Sequence, residues 1–169
     1  MANAIPNNAH FLVAELQKNY NVTVITQNVD DLHERAGSKN IIHLHGELKK
    51  SRSTANPELI YEISGTELNI GDCCEIGSQL RPHIVWFGEE VTMMPFAANI
   101  VSQSDCLIII GTSMVVYPAA NLIHYAQKGI KVFYIDPNVP DFEFDNNVIH
   151  IKEKATKGMK ILTTKYLKL

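Results

Sequence analysis

The sequence predicts an α/β domain in which a parallel sheet is covered by helices on both faces. Two observations carry that expectation. Nearly continuous apolar runs of strand length recur along the chain, and helix-period segments separate them. Several of these runs also deliver polar or glycine residues at their C-terminal ends, where open α/β sheets hold their ligands.

Residues 9–18 place Phe11, Leu12 and Leu16 on one face, with Asn7 or Asn8 available as a cap, which predicts a short amphipathic helix. Residues 22–26 form a β-branched run of strand length. Further strands are expected at 41–45 and at 83–87, the latter opened by Pro82 and closed by Gly88. A helical stretch at 95–101 leads into a strand at 106–110 and the turn Gly111-Thr112-Ser113. The next helix, 118–126, has Pro118 in its first turn and stops at Gly129. Strands at 131–135 and 148–151 and a helix from Ala155 complete the pattern. Between 49 and 79, Ser51, Ser53, Asn56, Pro57, Ser64, Gly65, Gly71 and Gly77 interrupt any long element. The expected division is therefore a first sheet part at 1–48, a small inserted module at 49–79 and a second sheet part at 80–169.

The 169 residues are 46% hydrophobic and 20% charged with a mean hydropathy of -0.05, values of an ordinary globular domain and not of a disordered chain. Fifteen basic residues against 18 acidic ones, with no long basic run, argue against nucleic acid as a partner. The longest apolar stretch, 106–110, is far short of the ~20 residues that span a bilayer, and residues 1–8 lack the basic flank and apolar block of a secretory signal. Three cysteines, Cys73, Cys74 and Cys106, form an odd set unsuited to a disulfide framework, so a reducing, cytoplasmic setting is expected.

The strand-end rule selects Gln27-Asn28-Val29-Asp30, His45-Gly46-Glu47, Gly88-Glu89, Gly111-Thr112-Ser113 and Asp136-Pro137-Asn138. The Gly-Thr-Ser turn fits either a phosphate site or a plain strand-to-helix turn. Asp136 fits either a ribose contact or the start of an Asp-Pro turn. His45, beside glycine at a strand end, fits either a general base or a structural histidine. His43 and His45 share a strand face and open a metal reading, but no acidic or cysteine partner stands at ligand spacing, so no metal is expected. None of the 9 glycines is two residues from another, so a dinucleotide fold would have its first phosphate turn elsewhere.

In order along the chain, Thr26-Gln27-Asn28-Val29-Asp30-Asp31-Leu32-His33, Ala36-Gly37, Leu44-His45-Gly46, Arg81-Pro82-His83-Ile84-Val85-Trp86-Phe87-Gly88-Glu89 and Gly111-Thr112-Ser113 with Val116-Tyr117-Pro118-Ala119 resemble the sirtuins, NAD-dependent protein deacylases. The Arg81 to Glu89 block is most similar to the bacterial, desuccinylase-like branch. The resemblance implies a Rossmann-like NAD domain with a small inserted module, and an acylated lysine of a protein or peptide lying in the cleft between them. It makes His45 the catalytic base that deprotonates the ribose, with Asn28 and Asp30 beside it, and nicotinamide and O-acyl-ADP-ribose the products. Gln27, Asn28 and Asp30 correspond to residues that position the nicotinamide ribose and carboxamide. Gly111, Thr112 and Ser113 correspond to phosphate and ribose contacts, and Asn138 and Ala155 lie near the adenosine end. Val85, Trp86, Phe87, Gly88 and Glu89 correspond to the segment that pairs with the substrate backbone.

Three departures from the family accompany the match. Its N-terminal glycine-rich block has no counterpart before Ala9, so the expected sheet is truncated at the N-terminus. Its zinc site needs two Cys-x-x-Cys pairs, whereas here Cys73 alone aligns with a ligand and Ile76 holds the next position, so no zinc is expected. Asp136 stands where asparagine is usual. Two other readings remain open: an NAD- or peptide-binding module without turnover, and an ADP-ribosyl transferase or NAD hydrolase on the same scaffold.

Overall fold

A computed structural model describes residues 3–139 and 148–168; Met1 and Ala2, which open the stretch read for a signal, lie outside them. Helix α1 (Asn8–Leu16) begins with a capping box. The Asn7 side chain accepts from the Ala9 amide at 2.9 Å, and the Asn7 amide donates to His10 Nδ1 at 3.2 Å. A histidine thus fills the role usually held by Glu or Gln.

Strands β1 (Val24–Thr26) and β2 (Ile41–His43) pair in parallel, with Thr26 opposite His43, and are joined through the short helix α2 (Leu32–Arg35). Three strands, β3 (Gly46–Ser53), β4 (Ile60–Glu62) and β5 (Leu80–Ile84), form an antiparallel sheet in the order β4-β3-β5. Helix α3 (Met94–Ser102) then leads to a parallel sheet of β6 (Cys106–Ile110), β7 (Lys131–Ile135) and β8 (Val148–Ile151) in sequence order. Helix α4 (Ala155–Ile161) continues into a π-helical turn (Leu162–Leu167).

Two expectations are corrected here. The strand expected at 83–87 is β5, which ends at Ile84 and pairs antiparallel with β3 instead of joining the parallel sheet. An apolar run records that a strand is buried, not which neighbour it takes or in which direction. The antiparallel sheet accordingly runs from 46 to 84 and extends beyond 49–79 on both sides. The helix expected at 118–126 is a 3-10 helix (Ala119–Tyr125). Ala119, Leu122 and Tyr125 recur every three residues, and over seven residues that period and 3.6 give the same apolar face.

Two hydrophobic clusters lie on the two faces of the parallel strands. On one, Ala9, Val13 and Leu16 of α1 meet Phe133 and Ile135 of β7, Ile151 of β8, and Met159 and Leu162 of the C-terminal helix. On the other, Ile42 and Leu44 meet Val91, Ala97 of α3 and Ala119. Strand alternation sends Val24 into the first cluster and Ile25 into the second. Phe133, Ile135, Met159 and Leu162 are at most 2% exposed, and burial of such side chains contributes about 1.5–3 kcal/mol each. Among the described residues β1 pairs with β2 alone and β6 with β7 alone, so the two parallel sheets are joined by shared core and not by a common ladder.

Candidate active site

Parallel pairing of β1 and β2 brings their carboxyl ends together, and that placement builds the centre of the site. The Leu44 amide donates to the Thr26 carbonyl at 2.9 Å. One residue further on, His45 Nδ1 lies 3.1 Å from the Gln27 carbonyl. A carbonyl only accepts, so Nδ1 carries the proton and, in the neutral ring, Nε2 keeps its lone pair. His45 also holds the next segment, because its own carbonyl accepts from the Val85 amide at 3.0 Å. One half-buried histidine therefore ties the loop after β1 to the start of the 85–89 segment.

The loop 27–31 is pinned at several points. The Asn28 amide donates to Thr26 Oγ1 at 3.0 Å, the Leu48 amide to the Val29 carbonyl at 2.9 Å, and the Leu32 amide to Asp30 Oδ1 at 3.1 Å. Among the described residues nothing hydrogen-bonds the side-chain amides of Gln27 and Asn28, the Ser113 hydroxyl or His45 Nε2. The backbone of this loop is spent on its own position while these polar groups remain available to a ligand.

His43 contacts the same loop, with Nδ1 3.1 Å from the Asn28 carbonyl and Nε2 2.7 Å from Glu34 Oε1. Glu34, His43 and Glu47 offer ligand atoms within 4.8 Å of one another, acidic neighbours that linear spacing did not reveal. Lys50 already pairs with Glu47 at 2.8 Å, which makes the group an ion-pair network. Nearby, burial pushes the His33 imidazole below its ordinary range, with His10 adding to the effect at a ring separation of 4.8 Å.

A second group of residues sits at the ends of β6 and β7. The buried Tyr134 hydroxyl donates to the Thr112 carbonyl at 3.0 Å, and burial raises its pKa so that it stays a donor. Asp136 Oδ1 accepts from the Asn138 amide at 2.8 Å, the side-chain turn that the Asp-Pro reading anticipated. His150 Nε2 donates to the Asp136 carbonyl at 2.9 Å. Asp136 thus braces the turn that carries Asn138. Ala155 packs against the first hydrophobic cluster.

The segment after β5 closes on itself. The Glu89 amide donates to the Trp86 carbonyl at 3.0 Å across a turn whose third residue, Gly88, has φ +89, a conformation suited to glycine. The Glu89 carboxylate accepts from Arg81 Nη1 at 2.6 Å and Nη2 at 3.2 Å, from Arg52 Nη2 at 3.1 Å and from the Trp86 amide at 3.0 Å. Glu89 is thus a clasp for the loop, and the tip it shapes leaves Phe87 fully exposed and Trp86 55% exposed. Arg52 and Arg81 hold this loop through Glu89, a bracing role that the sequence pattern did not reveal.

The Arg81 hydrogen bond, first among several contacts, holds the Glu89 carboxyl below its usual 4.5. A depressed carboxyl pKa stabilises the fold above the unfolded value, and the gain is lost as pH falls through the folded one. Glu89→Gln is expected to loosen the turn from Trp86 to Glu89, speeding amide exchange there several-fold at neutral pH while the rest of the chain is unchanged, and hydrogen–deuterium exchange checks it. The mutant loop should also lose its acid sensitivity below pH 4.5.

Parallel strands covered by helices, with a tautomer-fixed histidine and uncommitted amides at their ends, place the chain in the class of Rossmann-like α/β domains with a candidate nucleotide site. The comparisons narrow the class. Residues 1–118 match the Sir2 family. An NAD-dependent protein deacylase of Helicobacter pylori (strain J99) is 50% identical over 164 residues, 97% of this chain and 70% of that protein. A crystal structure of a Sir2 homologue–NAD complex superposes with a TM-score of 0.84 at 39% identity, covering 96% of this chain and 65% of that one. A Sir2–p53 peptide–NAD+ structure gives 0.77 at 31% identity, covering 96% of this chain and 70% of that one. The chain belongs to the Sir2 family. Among the described residues no helix is long and apolar enough to cross a membrane.

Proposed function

We propose that this chain acts as an NAD-dependent protein lysine deacylase, with His45 as its general base. The observation that carries the reading is the His45 Nδ1 contact with the Gln27 carbonyl, which leaves Nε2 as an uncommitted base at the ends of two parallel strands. The uncommitted amides of Gln27 and Asn28 and the Ser113 hydroxyl are donors and acceptors of the kind that a ribose, a carboxamide and a phosphate require, so the residues present fit NAD. NAD supplies an activated ribose carbon and a nicotinamide leaving group. Gln27, Asn28 and Asp30 orient the nicotinamide end, and His45 Nε2 accepts a proton from a ribose hydroxyl. Gly111, Thr112 and Ser113 receive the phosphate and ribose groups, with Asn138 and Ala155 at the adenosine end.

The acyl-lysine peptide lies along Val85, Trp86, Phe87 and Gly88. The Val85 and Trp86 amides are engaged by His45 and Glu89, so backbone pairing falls to the remaining groups of the loop, of which the Phe87 amide has no partner among the described residues. Release of nicotinamide and an acylated ADP-ribose, measured by mass spectrometry with acetylated and succinylated peptides, tests the function. Nicotinamide release that needs no acyl peptide would favour an NAD hydrolase or ADP-ribosyl transferase instead.

The antiparallel module does not fit a structural zinc. Its buried thiol, Cys74, faces the Ser53 hydroxyl at 3.3 Å, and Ser53 Oγ accepts from the amides of Ala55 and Asn56 at 3.2 Å each. Cys73 is exposed and Cys106 stands on β6, so four thiolates do not converge. Elemental analysis after dialysis against a chelator is expected to find no zinc; one equivalent per chain would overturn this.

A further inference from the structure

We propose that His43, clamped between the Glu34 carboxylate and the Asn28 carbonyl, is a positioning residue that holds the loop 27–31 in place for catalysis only while its ring carries both protons. Its catalytic consequence rests on the deacylase reading above. Its chemistry rests on hydrogen-bond stoichiometry.

The two ring nitrogens face two groups that can only accept: the Asn28 carbonyl at 3.1 Å and the Glu34 carboxylate at 2.7 Å. A neutral imidazole has one N–H, so both contacts form together only in the imidazolium. The ring itself is 8% exposed, so the two contacts fix its protonation from partners that reach solvent, Glu34 at 40% exposed and the exposed Asn28. The groups around it favour a cation. Glu34 comes from α2 and Glu47 from β3, with the Lys50 ammonium drawn to Glu47, and burial holds the nearby His33 imidazole below its ordinary range.

Loss of one proton breaks the clamp in either of two ways. If Nδ1 keeps it, a lone pair on Nε2 faces the Glu34 carboxylate at hydrogen-bond distance. If Nε2 keeps it, the Asn28 carbonyl is released. The residue before Asn28 is Gln27, whose carbonyl fixes the tautomer of His45. A loosened Asn28 therefore disturbs both the uncommitted Asn28 amide and the anchor of the base. His45 must be free of a proton on Nε2 to act, whereas His43 must keep two. Activity should therefore show an alkaline limb where the clamp loses its second proton.

Profiles of kcat and of the KM for NAD against pH, measured for wild type, Glu34→Gln and His43→Gln, test the proposal. Glu34 is 40% exposed, so its replacement should leave the fold intact, which the melting temperature verifies. Glu34→Gln should move the alkaline limb to lower pH, because the counter-ion of the imidazolium is gone. His43→Gln, which keeps one donor for Asn28, should abolish the alkaline limb and raise the KM for NAD several-fold. An alkaline limb unchanged in both variants would overturn the proposal. If wild type shows no NAD-dependent turnover, the deacylase reading fails, and the 15N shifts of the His43 ring then decide the clamp. Two protonated nitrogens at neutral pH in wild type, becoming one in Glu34→Gln, support it; a single neutral tautomer in wild type sinks it.

Discussion

His45→Ala is expected to lower deacylation by about 10²–10⁴-fold, the usual contribution of a positioned general base. The imidazole is fixed through Nδ1 on the Gln27 carbonyl, and Nε2 has no partner among the described residues, so the substitution removes a base without removing a binding group. The effect should therefore fall on kcat, with NAD affinity by calorimetry nearly unchanged. The Val85 amide bonds to the backbone carbonyl at position 45, which alanine retains, so the peptide KM should also hold. Turnover that stays above a tenth of wild type would remove His45 from the role of base.

Gly46→Ala should produce the largest loss of stability. Gly46 has φ +79, and a Cβ built there would lie 2.0 Å from the His83 carbonyl oxygen, 2.9 Å from its carbon and 3.1 Å from Ile84 Cα. These are backbone atoms of β5 in the ladder with β3, where Gly46 pairs with Ile84, and they cannot move aside as a flexible side chain would. Left-handed strain and the clash together should cost about 3 kcal/mol or more, which lowers the melting temperature by roughly 6–12 °C in a chain of this size. Gly88→Ala is the matched control, since Gly88 also has a positive φ of +89 but a Cβ there meets nothing within 4 Å. Equal losses at the two positions would mean that the close approach of β3 and β5 is not what requires glycine at position 46.

Much of this architecture was legible from local pattern. The runs at 22–26, 106–110, 131–135 and 148–151 became strands because β-branched apolar residues suit a buried pleated surface wherever it lies in the fold. His45 was legible as a candidate base because its position after a strand and before glycine is a local property. The role of Glu89 was not legible. Its block reads as peptide-binding, yet its carboxylate is taken by Arg81 and Arg52, the latter 37 residues away on another strand. The partner of His43 was equally hidden, because Glu34 lies nine residues away on α2, a distance with no helical or strand period.

The sequence by itself determined the period of each element, the faces that Val24 and Ile25 turn to the two clusters, and the polar residues waiting at the strand ends. Only the tertiary structure decided that β5 runs antiparallel to β3, that Glu89 serves as a clasp and that His43 sits between two acceptors. The physical reason is that periodicity and burial are encoded residue by residue along the chain. Strand direction, hydrogen-bond partner and protonation arise between elements, and they exist only after the core has brought those elements into contact.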